Sequence, residues 1–232
     1  MSAILRCENL VKKYGSTPAL TNFNLELEPG RVVGLLGPNG SGKTTLIKLI
    51  AGLLTPASGR VLVNDMPIGI ETKKIVSYLP ERTYISDWMK VKDIFKMFED
   101  FYPDFNVAKA NDMLSRLGIK IDDRVKAMSK GTKEKLQLIL VMAREARLYL
   151  LDEPIGGVDP AAREYILDTI ISNYSENSTV IISTHLISDI ERVLDDIIFL
   201  KYGQLSLFGD ADSIREGKGM SIEGLFKEVF RC

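Results

Sequence analysis

Cysteine, histidine and tryptophan are nearly absent from this chain of 232 residues, which holds two cysteines, one histidine and one tryptophan. Cys7 and Cys232 stand at opposite ends in no metal-ligand spacing, so neither a disulfide framework nor a zinc site is supported. The single histidine, His185, excludes any site built on two imidazoles. Charge of one sign is lacking too: 30 Lys and Arg nearly cancel 31 Asp and Glu. No stretch carries a run of like charges of the kind that marks a nucleic-acid-binding arm, and nucleic acid is not an expected partner. No apolar run approaches the roughly 18 residues that cross a bilayer. The opening Met-Ser-Ala-Ile-Leu-Arg lacks the charged-then-apolar plan of a secretory signal, so a cytoplasmic protein is expected.

What remains is 45% hydrophobic and 26% charged, enough to build one large domain or two closely joined ones. Ala3–Val11 and Leu20–Leu27 read as extended stretches around a Gly15-Ser16-Thr17-Pro18 turn, a hairpin start. From Arg31 the pattern becomes a continuous apolar run, Val32–Leu36, then a Gly-rich turn, then helical spacing from Thr44 to Ile50. Similar apolar strands return at Leu148–Leu151, Thr179–Ser183 and Ile197–Leu200. Strands apolar on both faces belong in a sheet covered on both sides, so the fold expected is α/β with a mostly parallel central sheet. Between about residues 82 and 147 the strand signal stops, and helical patterns run near Val91–Phe101, Val107–Leu117 and Thr132–Arg144. Gly203–Gly209 reads as a last strand, followed by short helices.

Gly37-Pro38-Asn39-Gly40-Ser41-Gly42-Lys43-Thr44 matches the P-loop spacing and stands between a buried strand and a helix. Glycines let main-chain N–H groups converge on phosphate oxygens, and the helix beginning here points its positive end at the same anion. Lys43 adds a point charge, and the Thr44 hydroxyl is a hard oxygen suited to Mg²⁺. Residues Gly37 to Thr45, with Thr45 the last, are therefore the candidate nucleotide contacts. A Gly-rich turn of this spelling arises by accident in on the order of 1% of chains this long, and the strand-turn-helix context lowers that further. Leu148–Leu151 runs into Asp152 and Glu153. Alone these would be a strand end capped by solvated acids. Beside a P-loop, Asp152 is placed to hold Mg²⁺ and Glu153 to polarise a water attacking the γ-phosphate.

Together these motifs resemble the nucleotide-binding subunit of ABC transporters of the bacterial efflux type, in the expected order over most of the chain. The resemblance implies a P-loop NTPase core with N-terminal antiparallel strands and an inserted helical subdomain. The division expected is an ATP-binding core from 1–81 and 146–210, a helical subdomain from 82–145 and a C-terminal helical extension from 211–232. It also implies roles for further residues. Tyr14 would stack on adenine, and Met128-Ser129-Lys130-Gly131-Thr132 resembles the signature usually written Leu-Ser-Gly-Gly-Gln, with Ser129 and Gly131 offering donors to a nucleotide on another subunit. In Ile155-Gly156-Gly157-Val158-Asp159-Pro160, Asp159 would cross the dimer interface. His185, at the end of Val180–Thr184, would contact the γ-phosphate. Where the family usually has Gln, this chain has Glu81 in Leu79-Pro80-Glu81-Arg82; its carboxylate can offer oxygen to Mg²⁺ or water, with coupling its expected main role.

Of the aromatic residues that follow, Val91, Phe95, Phe98 and Tyr102 keep helical spacing and read as core, whereas Tyr84, Ile85 and Trp88 fall where the family receives its membrane subunit. The function so implied is ATP hydrolysis in a closed homodimer or heterodimer, with ATP and Mg²⁺, powering export through a separate transmembrane permease subunit from the inner face of the membrane. A regulatory ATPase that drives a membrane or cell-wall complex without transport is the alternative. A P-loop kinase leaves the signature and His185 without purpose.

Overall fold

The computed structural model describes residues 3–156, 158–175 and 177–230, apart from the side chains of residues 161 and 162; Gly157 and Cys232 lie outside them. The chain opens with a long hairpin, β1 (Leu5–Tyr14) and β2 (Thr17–Leu27). Its turn is only Gly15-Ser16, with Gly15 at φ 59°, shorter than the four-residue turn expected. Pro18 therefore sits inside β2, opposite Lys13. It is tolerated because β2 is the edge of its sheet, where its missing N–H leaves no ladder bond unmade.

Next come β3 (Val32–Leu36) and α1 (Lys43–Ile50), joined by the Gly-rich loop. Three elements follow to which sequence reading assigned nothing: β4 (Ser58–Val63), β5 (Met66–Pro67) and α2 (Ile70–Ile75). β6 (Val76–Leu79) precedes the helices α3 (Val91–Phe101), α4 (Val107–Arg116) and α5 (Lys130–Met142). α5 begins two residues earlier than its apolar spacing suggests, because Ser129 caps it by accepting from the Thr132 N–H at 3.1 Å. The chain then alternates β7 (Leu148–Asp152), α6 (Pro160–Asn173), β8 (Thr179–Thr184), α7 (Ile187–Ile190), β9 (Asp196–Lys201) and β10 (Gln204–Asp210), and ends with α8 (Ala211–Lys218) and α9 (Ile222–Val229).

The larger sheet runs β10-β9-β3-β8-β7-β6, and only the β10–β9 pair is antiparallel. The smaller, β2-β1-β4-β5, is wholly antiparallel. Alternation along the central strands feeds two cores. Val33, Leu35, Leu148, Leu150, Ile198 and Leu200 join α1 and the antiparallel sheet. Val32, Leu36, Tyr149, Leu151, Ile197 and Phe199 join the helices, Phe95, Phe98 and Leu136 among them. The C-terminal helices share that second core: Ile222 and Leu225 are buried, and Phe226 and Phe230 pack on Phe199. The site-bearing loops thus leave the carboxyl ends of β3, β7 and β8, where open parallel sheets bind ligands.

Candidate functional site

The loop after β3 is locked by its neighbours before any ligand is considered. A Cβ on Gly37 would lie 2.5 Å from the Leu200 carbonyl oxygen, and one on Gly42, at φ 111°, would lie 2.7 Å from that of Ala19. The loop is pressed against β2 and β9 so closely that only glycine fits. The Gly203 N–H adds a bond to the Ser41 carbonyl at 2.9 Å. Inside this cradle Lys43 is 6% exposed. Its ammonium donates to the Gly37 carbonyl at 2.8 Å and stands 3.6 Å from Glu153 Oε1.

Asp152 is almost wholly buried at the end of β7. Its Oδ1 accepts from Ser183 Oγ at 2.7 Å and from Thr44 Oγ1 at 3.1 Å. Its Oδ2 is buried with no partner, and so is Ser41 Oγ. Burial is the largest cause raising the Asp152 pKa; the Ser183 and Thr44 hydrogen bonds oppose it, while the Glu153 and Glu81 charges add to it. Glu153 takes φ 51°, a left-handed conformation costing a non-glycine residue on the order of 1 kcal/mol. Its N–H donates both to the Ser183 carbonyl at 3.0 Å and to Ser183 Oγ at 3.1 Å, which holds the strained residue in place. The carboxylate then reaches Lys43 with one oxygen and His185 Nδ1, at 3.1 Å, with the other. Ser183, to which sequence reading gave no role, thus orients both acids; a serine inside an apolar strand carries no signal of it.

The P-loop from Asn39 to Thr45, Glu153 and His185 line one open cleft of about 1020 Å³ that also takes in Tyr14, Glu81 and Arg82, while Asp152, bonded to Thr44, and Ser183 lie outside its wall. Tyr14 is 52% exposed at its rim. Glu81 faces the cleft from the loop after β6. From α5 the cleft reaches Lys130, Lys133 and Glu134, but Ser129, Gly131 and Asp159 are not in its wall. The structure therefore gathers Glu153, His185 and the P-loop from Asn39 onward, and of the signature brings only Lys130 to the cleft, with Ser129, Gly131 and Asp159 outside its wall.

The donor set suits a small hard cation. Asp152 keeps an unpartnered oxygen beside the Thr44 hydroxyl, and among the described residues no cluster of three or more His, Cys, Asp or Glu forms a closed cage. Mg²⁺ takes few protein oxygens and completes its shell with phosphate and water, so these residues fit it.

A second crevice, about 610 Å³, opens between α1 and α3 and is lined by Leu53, Tyr84, Met97, Phe98, Phe101 and Tyr102 among others. Trp88 and Phe101 are each 74% exposed, and Tyr84 is 46% exposed. Ile85, expected to face a partner with them, is instead buried in the core beside Phe95 and Phe98. Its β-branched apolar side chain leaves the surface while its aromatic neighbours stay on it. Cys7 is buried, its thiol pushed up to about 12 by desolvation, which leaves it unreactive.

The family model described as ABC transporter matches residues 20–156. ABC transporter ATP-binding protein YtrB of Bacillus subtilis is 32% identical over 216 residues, covering 92% of this chain and 74% of YtrB. Nod factor export ATP-binding protein I of Cupriavidus metallidurans is 30% identical over 212 residues, 88% of this chain and 70% of that protein. A solved structure described as that of an ATP binding subunit of an ABC transporter superposes with a TM-score of 0.86 at 27% identity, covering 98% of this chain and all of that one. The chain belongs to the ABC transporter family, as an ATP-binding subunit. It is an ATP-hydrolysing enzyme of the P-loop class, and subunits of this kind work with membrane permease subunits.

Proposed function

We propose that this subunit hydrolyses ATP within a closed dimer to drive export through a separate permease, and that the residues gathered at the cleft do the chemistry. The observation that carries the hydrolytic role is the Glu153 carboxylate, held in a left-handed backbone by Ser183 and set between Lys43 and His185. ATP would enter with adenine over Tyr14 and phosphates against the Gly37–Thr45 loop, drawing Lys43 from Glu153 to the terminal phosphates. The freed Glu153 then accepts a proton from the attacking water, and His185, hydrogen-bonded to it, contacts the γ-phosphate and orients that water. Thr44 and Asp152 would hold Mg²⁺, with Glu81 close enough to act through water. The bound ion supplies charge neutralisation at the β- and γ-phosphates.

Dimerisation is supported by what a single chain leaves unused. Ser129 and Gly131 are not in the wall of their own cleft, and a Cβ at Gly131 would meet nothing within 4 Å. Nothing in one chain requires glycine there, whereas a nucleotide on a second copy, or on a similar subunit, needs that room. Asp159 would lie at the same interface. The permease would dock on the crevice and on exposed Trp88, at the inner face of the membrane. Among the described residues no helix is long and apolar enough to cross a membrane. The direction of transport follows the similarity to the Nod factor export subunit.

Glu153→Gln tests this directly. It should bind ATP, slow hydrolysis by about a hundredfold or more, and double in mass by light scattering when Mg-ATP is added. A variant that stays monomeric with ATP bound would refute a sandwich of two copies of this chain.

A further inference from the structure

Residues 80–89 connect the two cavities: Glu81, Arg82 and Thr83 line the cleft, Tyr84 lines the crevice, and Trp88 is exposed beyond it. What fastens this loop is α5. Gln137, on that helix, is 3% exposed within a buried apolar run from Leu136 to Met142. Its Nε2 donates to the Pro80 carbonyl at 3.1 Å, and its Oε1 accepts from the Thr83 hydroxyl at 2.6 Å. A buried amide is costly unless both ends are paired, and here they are. The two bonds have opposite polarity, which fixes the amide orientation, and they grip the loop on either side of Glu81-Arg82. One turn earlier, Lys133 pairs with Asp87 at 2.5 Å.

The first turn of α5 enters the cleft wall with Lys130, Lys133 and Glu134, so a movement of that turn against nucleotide is carried rigidly along the helix to Gln137. We propose that Gln137 is a positioning residue that fastens the Glu81 loop to α5, so that nucleotide occupancy at the cleft is passed to Trp88 and the partner-facing crevice. The inference rests on the reading of the cleft as the ATP site.

Trp88 is the only tryptophan of the chain, so its emission reports on this loop alone. The full chain is titrated with Mg²⁺ and a non-hydrolysable ATP analogue, following Trp88 emission and, separately, the heat of binding. In the wild type the emission change should saturate in step with the heat. Gln137→Met, of similar length but without hydrogen bonds, should bind the analogue within about threefold of wild type and lose roughly two thirds or more of the emission change. Thr83→Val should lose the emission change at saturating analogue whatever its affinity, and Thr83→Ser, which keeps the hydroxyl, should retain it. A purely structural glutamine would lower the melting temperature and leave the emission change intact. Should Gln137→Met fail to fold, the exposed Thr83 pair carries the test. Binding without an emission change in the wild type, or a full change in Gln137→Met or Thr83→Val, overturns the proposal alone. No binding heat in the wild type overturns the ATP-site reading as well.

Discussion

At the scale of single residues, Asp152 shows how far a functional group can oppose the fold that carries it. One carboxylate oxygen is held by Thr44 and Ser183, the other is buried without a partner, and burial raises the pKa above the usual carboxylate value. With its pKa raised in the folded state, the group contributes stability below its unfolded pKa, near 4, and that contribution is lost as pH rises through the folded value. Asp152→Asn removes the charge and keeps the shape. At pH 7 the nucleotide-free variant should be as stable as wild type or more so by up to about 1 kcal/mol in urea unfolding, and should lose any gain in ATP affinity from Mg²⁺. A variant markedly less stable than wild type would show that the carboxylate is fully compensated in the native state. Asp152 and Glu153 were legible because two acids ending a buried strand beside a P-loop have a chemical reason to be there. Ser183, which bonds to both, was not: its role depends on β8 lying beside β7 in register, Asp152 opposite Ser183. The glycines were legible as phosphate-loop residues, but not the pressure of Ala19 and Leu200 on Gly42 and Gly37.

At the scale of elements, the strands buried on both faces announced themselves, since β3, β7 and β8 are buried at every position and each is built round an apolar run. β4 and β5 did not. Ser58, Gly59 and Arg60 are exposed, and Asn64 and Asp65 turn the chain at positive φ, so period and composition point to a loop. The apolar spacing of α5 begins at Thr132, and its true start is set by the Ser129 cap. Its first turn also carries a conflict between stability and use. Gly131 costs the helix relative to alanine, yet nothing around it demands glycine. Gly131→Ala should raise the stability of the isolated chain by about 0.5 kcal/mol while reducing steady-state hydrolysis several-fold, because in the proposed dimer the added methyl would occupy the space of the second subunit's nucleotide. Urea unfolding and a phosphate-release assay read the two effects separately. A stabilised variant with undiminished hydrolysis would place the signature outside the reaction.

At the scale of the whole molecule, the cleft is where separately built parts meet. β2 and β9 press on the P-loop, β7 and β8 bring the two acids and His185, and α5 closes the far side. The apolar crevice draws on both halves too, with α1 on one side and α3 on the other. That convergence was beyond sequence reading, because it depends on how a sheet and a helical layer far apart in the chain share one core. It has a thermodynamic consequence. A ligand that touches every part binds only the assembled chain, so nucleotide should stabilise the fold as a unit. At a hundred times its Kd, Mg-ATP should add about 2.7 kcal/mol, which for a chain of this size raises the melting temperature by roughly 5–10 °C. Lys43→Ala, which takes the ammonium from the cradle, should show almost no rise. In Glu153→Gln the rise should also grow with protein concentration, since a second copy then binds only the nucleotide-loaded fold. Scanning calorimetry at protein concentrations a hundredfold apart separates the two contributions. A rise independent of concentration in Glu153→Gln would leave each cleft complete within one chain, and a rise preserved in Lys43→Ala would move the nucleotide out of the P-loop.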